Sequence, residues 1–113
     1  MNASTQPVRE VLLALANPVA GKDAEFQSWY WETHIPQVLQ LPGFVAARRY
    51  RTAAPAADAA GGVPYRYTTL YEVDGSAEAA LGTLFTAGLS ISDAMDLTSI
   101  VMLPLVAEDE PVS

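Results

Sequence analysis

The chain reads as an α+β domain: a four-stranded antiparallel sheet with two helices on one of its faces. Three observations lead there. Four segments carry strand patterns, two carry an apolar stripe at helical spacing, and they follow one another in the order β-α-β-β-α-β. Length permits only one such unit. At 113 residues there is no room for two cores, and half the residues are hydrophobic, enough to fill one. The expected boundaries are a disordered arm over 1–7, a single domain over 8–107 and an acidic tail over 108–113.

Val8 to Ala16 is the first strand. Its nearly continuous apolar run (Val11, Leu12, Leu13, Ala14, Leu15, Ala16) predicts burial on both faces, and Asn17-Pro18 ends it. Asp23 is the expected N-cap of the first helix, with Glu25 suited to the helix dipole. Phe26, Trp29, Tyr30 and Thr33 fall on one helical face. Pro36 has no N–H for the carbonyl of Glu32, so the regular helix should end or kink there, with a short turn over 37–41.

Phe44 to Arg51 is the second strand. Strict alternation puts Phe44, Ala46, Arg48 and Tyr50 on one face and Val45, Ala47, Arg49 and Arg51 on the other. Thr52 to Pro64, rich in Ala, Gly and Pro, is the expected hairpin loop. Tyr65 to Val73 is the third strand, with Tyr65, Tyr67, Thr69 and Tyr71 sharing a face. Ser76 caps the second helix, whose stripe is Ala77, Ala80, Leu81, Leu84 and Phe85, and Gly88 suits its exit. Thr98 to Val106 is the last strand, which Pro104 marks as an edge strand or the site of a bulge.

This order is the split βαβ, ferredoxin-like arrangement. It leaves one sheet face without helices, although the strands are apolar on both. Each exposed square ångström of such a face costs about 25 cal/mol, so a cover is expected. The simplest is the same face of a second copy, an isologous homodimer.

Composition removes several function classes. Six basic residues against thirteen acidic ones give a net charge of −7, which disfavours nucleic acid and anionic membranes as partners. With no cysteine there are no disulfides, thiolate zinc sites or thiol nucleophiles. One histidine leaves a histidine-rich metal site short of ligands, so no metal site is assigned. Residues 1–7 are polar and no apolar run reaches the roughly 18 residues of a membrane span. A soluble cytoplasmic protein is the expectation.

Chemistry concentrates in Trp29-Tyr30-Trp31-Glu32-Thr33-His34-Ile35-Pro36, which holds both tryptophans and the only histidine. Imidazole titrates near neutral pH, so His34 is the candidate general acid/base. It falls at the edge of the apolar helical face, where a pocket is within reach and aromatic neighbours would desolvate it, lowering its pKa. The competing explanation is a histidine placed near a helix C-terminus for the dipole. Trp29 reads as core, Tyr30 as core or a hydroxyl in a cavity, and Trp31 as a pocket rim or dimer contact. Asn17 either closes a turn through its own backbone or holds a substrate oxygen.

Arg48 and Arg49 point to opposite faces. A salt bridge to Glu72 or Glu32 is the favoured explanation, and a substrate carboxylate or phenolate the functional one. Tyr50, Tyr67 and Tyr71 are good strand residues that would also suit a flat aromatic ligand. Asp93 and Asp96 precede the last strand without forming a carboxylate pair, and no phosphate loop or nucleophilic triad is present.

Asn17-Pro18, Phe26, Trp29-Tyr30, His34, Pro36, Leu41-Pro42-Gly43-Phe44, Arg48-Arg49-Tyr50 and Tyr71-Glu72-Val73 occur in that order. The pattern resembles the dimeric α+β barrel (ferredoxin-like) superfamily, most closely its EthD-like small proteins, over residues 8 to 107. The resemblance implies a ferredoxin-like fold, a homodimer and a pocket between sheet and helices. Related small proteins include polyketide cyclases, cofactor-free monooxygenases, lactone isomerases, dehydratases and haem-binding enzymes. The expectation is therefore a small cofactor-independent enzyme, of lyase, isomerase or monooxygenase type. His34 would be its acid/base residue, and Asn17, Tyr30, Trp31, Arg49, Tyr50, Tyr67 and Tyr71 would contact an apolar, aromatic or polyketide-like substrate. The alternatives are a haem-binding or haem-degrading protein and a carrier of a hydrophobic metabolite.

Overall fold

The computed structural model describes residues 9–53 and 65–108. The expected N-terminal arm, most of the hairpin loop and all but the first residue of the acidic tail lie outside the described residues. Strands β1 (Glu10–Ala16), β2 (Phe44–Arg51), β3 (Tyr67–Val73) and β4 (Val101–Leu105) form one sheet in the order β2-β3-β1-β4. Every neighbouring pair is antiparallel. The helices are α1 (Asp23–Trp29), which runs through a π-turn (Tyr30–His34) into α2 (Ile35–Leu39), and α3 (Ala77–Thr86). The element order and sheet order are compatible with a ferredoxin-like α+β fold.

Both helical segments cover one face of the sheet. Leu12, Ala14 and Ala16 of β1 and Tyr71 and Val73 of β3 form a buried cluster with Phe26, Tyr30, Ile35 and Val38 from one segment and Ala77 and Ala80 from the other. β1 is buried on this face alone, since Val11, Leu13 and Leu15 are only half-buried within the single chain. β4 lies at an edge, where Pro104 costs no ladder hydrogen bond to a further strand.

Local chemistry accounts for the ends of the elements. The Ser76 hydroxyl accepts from the Ala79 amide at 3.1 Å, capping α3, and Gly88 takes φ of 69° just beyond its C-cap. A 3₁₀ turn over Leu97–Ser99, capped by Asp96, occupies the start of the expected fourth strand. Asp23 is not a cap. Lys22 holds that position, and the Asp23 carboxylate instead pairs with Arg66 at 3.0 Å and accepts from the Tyr67 hydroxyl at 3.4 Å.

Three departures from simple periodicity shape the interior. First, the helix does not stop at Pro36. It widens upstream into the π-turn, in which the Ile35 amide donates to the Tyr30 carbonyl, and then resumes as α2 with the proline in its first turn. The extra residue in that turn rotates the chain, so His34 is buried while Thr33, expected on the apolar face, is exposed. Second, the pairing of β2 with β3 shifts between Phe44 and Ala46, leaving Val45 as a bulge. Phe44 thereby joins Ala47 and Arg49 on the helix-covered face, and its expected companions Arg48 and Tyr50 lie on the other. Third, Phe85 does not complete the apolar stripe of α3 and is 69% exposed.

Candidate functional site

A cavity of about 270 Å³ opens between the sheet and the helices, just under the usual range for small-molecule sites, about 300–1,000 Å³. The small side chains of Ala14 and Ala16 make room on the sheet side, beside Met102 of β4. Leu84, Phe85 and Leu89 form the opposite wall, and Ile91, Met95 and Ile100 close the end. Tyr30, His34 and Tyr71 are the lining residues that carry polar side-chain atoms.

His34 is 7% exposed. Its ring stacks on Trp29 at 4.7 Å between centroids and meets Tyr30 edge-on at 4.9 Å. Nδ1 is enclosed and makes no hydrogen bond. Burial among these rings lowers the imidazole pKa from 6.5 to about 4, because the charged form would lose its hydration without gaining a partner. At neutral pH His34 is therefore an uncharged proton acceptor. The helix runs on past it into α2, so it does not sit at a helix C-terminus where the dipole would favour its cation.

Tyr71 is the second polar group of the cavity. It is 1% exposed, and its hydroxyl has no hydrogen bond of acceptable geometry. Burial pushes its pKa upward, and the neighbouring Tyr30 phenol adds to this, while the Arg49 charge opposes it. The phenol stays protonated, with the Tyr30 hydroxyl as its polar neighbour.

Arg49 stands behind this pair. Its guanidinium lies 4.8 Å from the Tyr30 ring centroid, 5.4 Å from Trp31, 5.4 Å from Tyr67 and 6.0 Å from Phe26. Each such contact contributes roughly 0.5–2 kcal/mol, depending on its desolvation. The expected salt bridge is not there. Among the described residues Glu72 pairs with Arg9, and no carboxylate pairs with Arg49 or Arg48. Burial lowers the pKa of Arg49, with the three tyrosines Tyr30, Tyr67 and Tyr71 opposing the shift.

The other candidates divide. Tyr67 belongs to the ring cluster around Arg49. Trp31 touches it too, although 55% of the tryptophan is exposed. Asn17 joins the end of β1 to two loops: its side-chain oxygen accepts from the Arg66 amide at 3.0 Å, its own amide donates to the Ser99 hydroxyl at 2.9 Å, and its carbonyl accepts from the Asp96 amide at 2.9 Å. This fixes the segment carrying Met95, so Asn17 shapes the cavity without lining it. Tyr50 does not join the cluster. It is 51% exposed on the helix-free face, beside Arg48, because strand alternation separates it from Arg49. The residues closing the end, Ile91, Met95 and Ile100, were not singled out in the sequence. They sit in irregular backbone, where apolar periodicity gives no signal.

No group of three or more metal-ligating side chains occurs among the described residues, and no helix among them is long and apolar enough to cross a membrane. No family model, curated protein or solved structure matches the chain.

The buried imidazole makes stability pH-dependent. Its folded pKa lies below its unfolded one, so its contribution is complete above pH 6.5 and is lost as pH falls towards 4. Replacing His34 with Phe removes that dependence. Denaturant titrations at successive pH values should show the wild type losing about 3 kcal/mol relative to His34→Phe between pH 6.5 and 4.

Proposed function

We propose that this protein is a small cofactor-independent enzyme that moves a proton on an apolar, aromatic or polyketide-like substrate, in a dehydration, isomerisation, cyclisation or oxygenation step. One observation carries the reading: a neutral imidazole and a protonated phenol belong to residues that line the same apolar cavity. His34 accepts a proton from a carbon or hydroxyl acid. Its imidazolium, with a pKa near 4, holds that proton weakly and returns it within the same turnover. Tyr71 donates to the oxygen on which negative charge develops, where a donor in dry surroundings has its greatest effect. A haem is disfavoured by the same walls, since no lysine or arginine among the lining residues would meet its propionates.

The assembly we infer is the homodimer of the dimeric α+β barrel, EthD-like pattern. Val11, Leu13, Leu15, Leu70, Val101, Leu103 and Leu105 alternate with the inward residues of β1, β3 and β4 and give the helix-free face its apolar character. Leu103 and Leu105 are 42% and 41% exposed in the single chain. Burying these side chains against their copies offsets the cost of leaving them in water.

Sedimentation velocity of the wild type should give a dimer and that of Leu103→Arg a monomer with an unchanged circular dichroism spectrum; a monomeric wild type removes the dimer. For the chemistry, a panel of neutral aromatic ketones and phenols is screened by the imidazole resonances of His34 and then assayed for conversion. Turnover should fall at least about 100-fold in His34→Ala with affinity little changed. Unchanged turnover in that variant discards the mechanism. Binding without conversion by the wild type leaves a carrier of hydrophobic metabolites instead.

A further inference from the structure

Among the described residues no carboxylate pairs with the Arg49 cation. Its Nε and Nη1 atoms are enclosed and make no hydrogen bond, which leaves Nη2 as the nitrogen not closed off. Asp23, which accepts from the Tyr67 hydroxyl of the ring cluster, is paired with Arg66 at 3.0 Å. The ring contacts offset part of the cost of drying this charge, but an apolar side chain would not incur that cost. A methionine or leucine would fill the space between Phe26, Tyr30 and Tyr67 without the cost of drying a charge. The rings around it are weak substitutes for an anion, because they attract a cation but accept no strong hydrogen bond.

We propose that Arg49 and the rings around it form a binding site for a planar organic carboxylate. The acid group takes the guanidinium's open donor, and the flat body of the ligand lies against Trp31, whose indole is 55% exposed while one face contacts the cation. Recognition here is by charge and planarity. The open nitrogen donates a charge-assisted hydrogen bond to the carboxylate, and the stacked rings hold the guanidinium plane in orientation. The site adjoins the His34 cavity through Tyr30, whose ring lies 4.8 Å from the guanidinium and 4.9 Å from the imidazole. The inference does not rest on proton transfer by His34, since a carboxylate can be held at Arg49 whether or not the cavity is catalytic.

The test compares benzoate with benzamide, its neutral analogue of the same shape, by isothermal titration and by tryptophan fluorescence at about 0.15 M salt, where bulk electrostatics are screened beyond roughly 8 Å. The wild type should bind benzoate at least tenfold more tightly than benzamide. Arg49→Met should abolish that preference, and Arg49→Lys, which keeps the charge and loses the planar group held between the rings, should retain only part of it. Arg49→Gln serves in place of Arg49→Met if the latter fails to fold. Equal affinities in the wild type, no binding of either probe, or a preference that survives loss of the guanidinium would each overturn the proposal. Neutral ketones shifting the His34 resonances in Arg49→Met would leave the reading of the His34 cavity standing in any of these cases.

Discussion

The Tyr30 ring is the contact on which the rest of the site depends. It meets the His34 imidazole edge-on, lies under the Arg49 guanidinium, touches Phe26 at 5.3 Å and Trp29 at 5.6 Å between centroids, and lines the cavity. Its position keeps water from the imidazole on one side and from the guanidinium on the other. Desolvation acts on the two charges alike, and each is destabilised. Histidine responds by giving up its proton. Arginine cannot do so near neutral pH, so it stays charged among the rings.

The π-turn brings these groups into register. A regular helix would carry His34 along the edge of its apolar face and keep Thr33 inside. One added residue in the turn moves the imidazole into the interior, and the chain then resumes as α2, anchored by Ile35 and Val38. The bulge at Val45 does the same for the sheet. It brings Phe44 onto the face that carries Arg49, where its ring meets Tyr71 edge-on at 5.6 Å. Two single-residue irregularities, one in a helix and one in a strand, therefore line up the polar groups of the cavity and the rings around them.

Both irregularities escaped the sequence for a physical reason. Periodicity reports which residues share a face only while an element stays regular, and a π-turn or a bulge is set by packing against other elements. Where regularity holds, the chain was legible. The bounds of β2, the Ser76 cap, the Gly88 exit and the edge position implied by Pro104 all rest on local chemistry. Within the site, the desolvated state of His34 was readable from its aromatic neighbours. The unpaired state of Arg49 was not. Charge matching pointed to Glu72 or Glu32; the fold gives Glu72 to Arg9 on the opposite face, and no ion pair joins Glu32 to Arg49 among the described residues. Tyr50 was grouped with the other strand tyrosines, although alternation sets it on the face opposite Arg49.

Packing against rings holds His34 uncharged in an apolar cavity. An NMR titration of the imidazole carbon protons tests it most directly, and with a single histidine in the chain the assignment is unambiguous. The midpoint in the folded protein is expected near 4, with the ring still neutral at pH 5.5. A midpoint at 6.5 or above, the value of an imidazole in free solution, would contradict it.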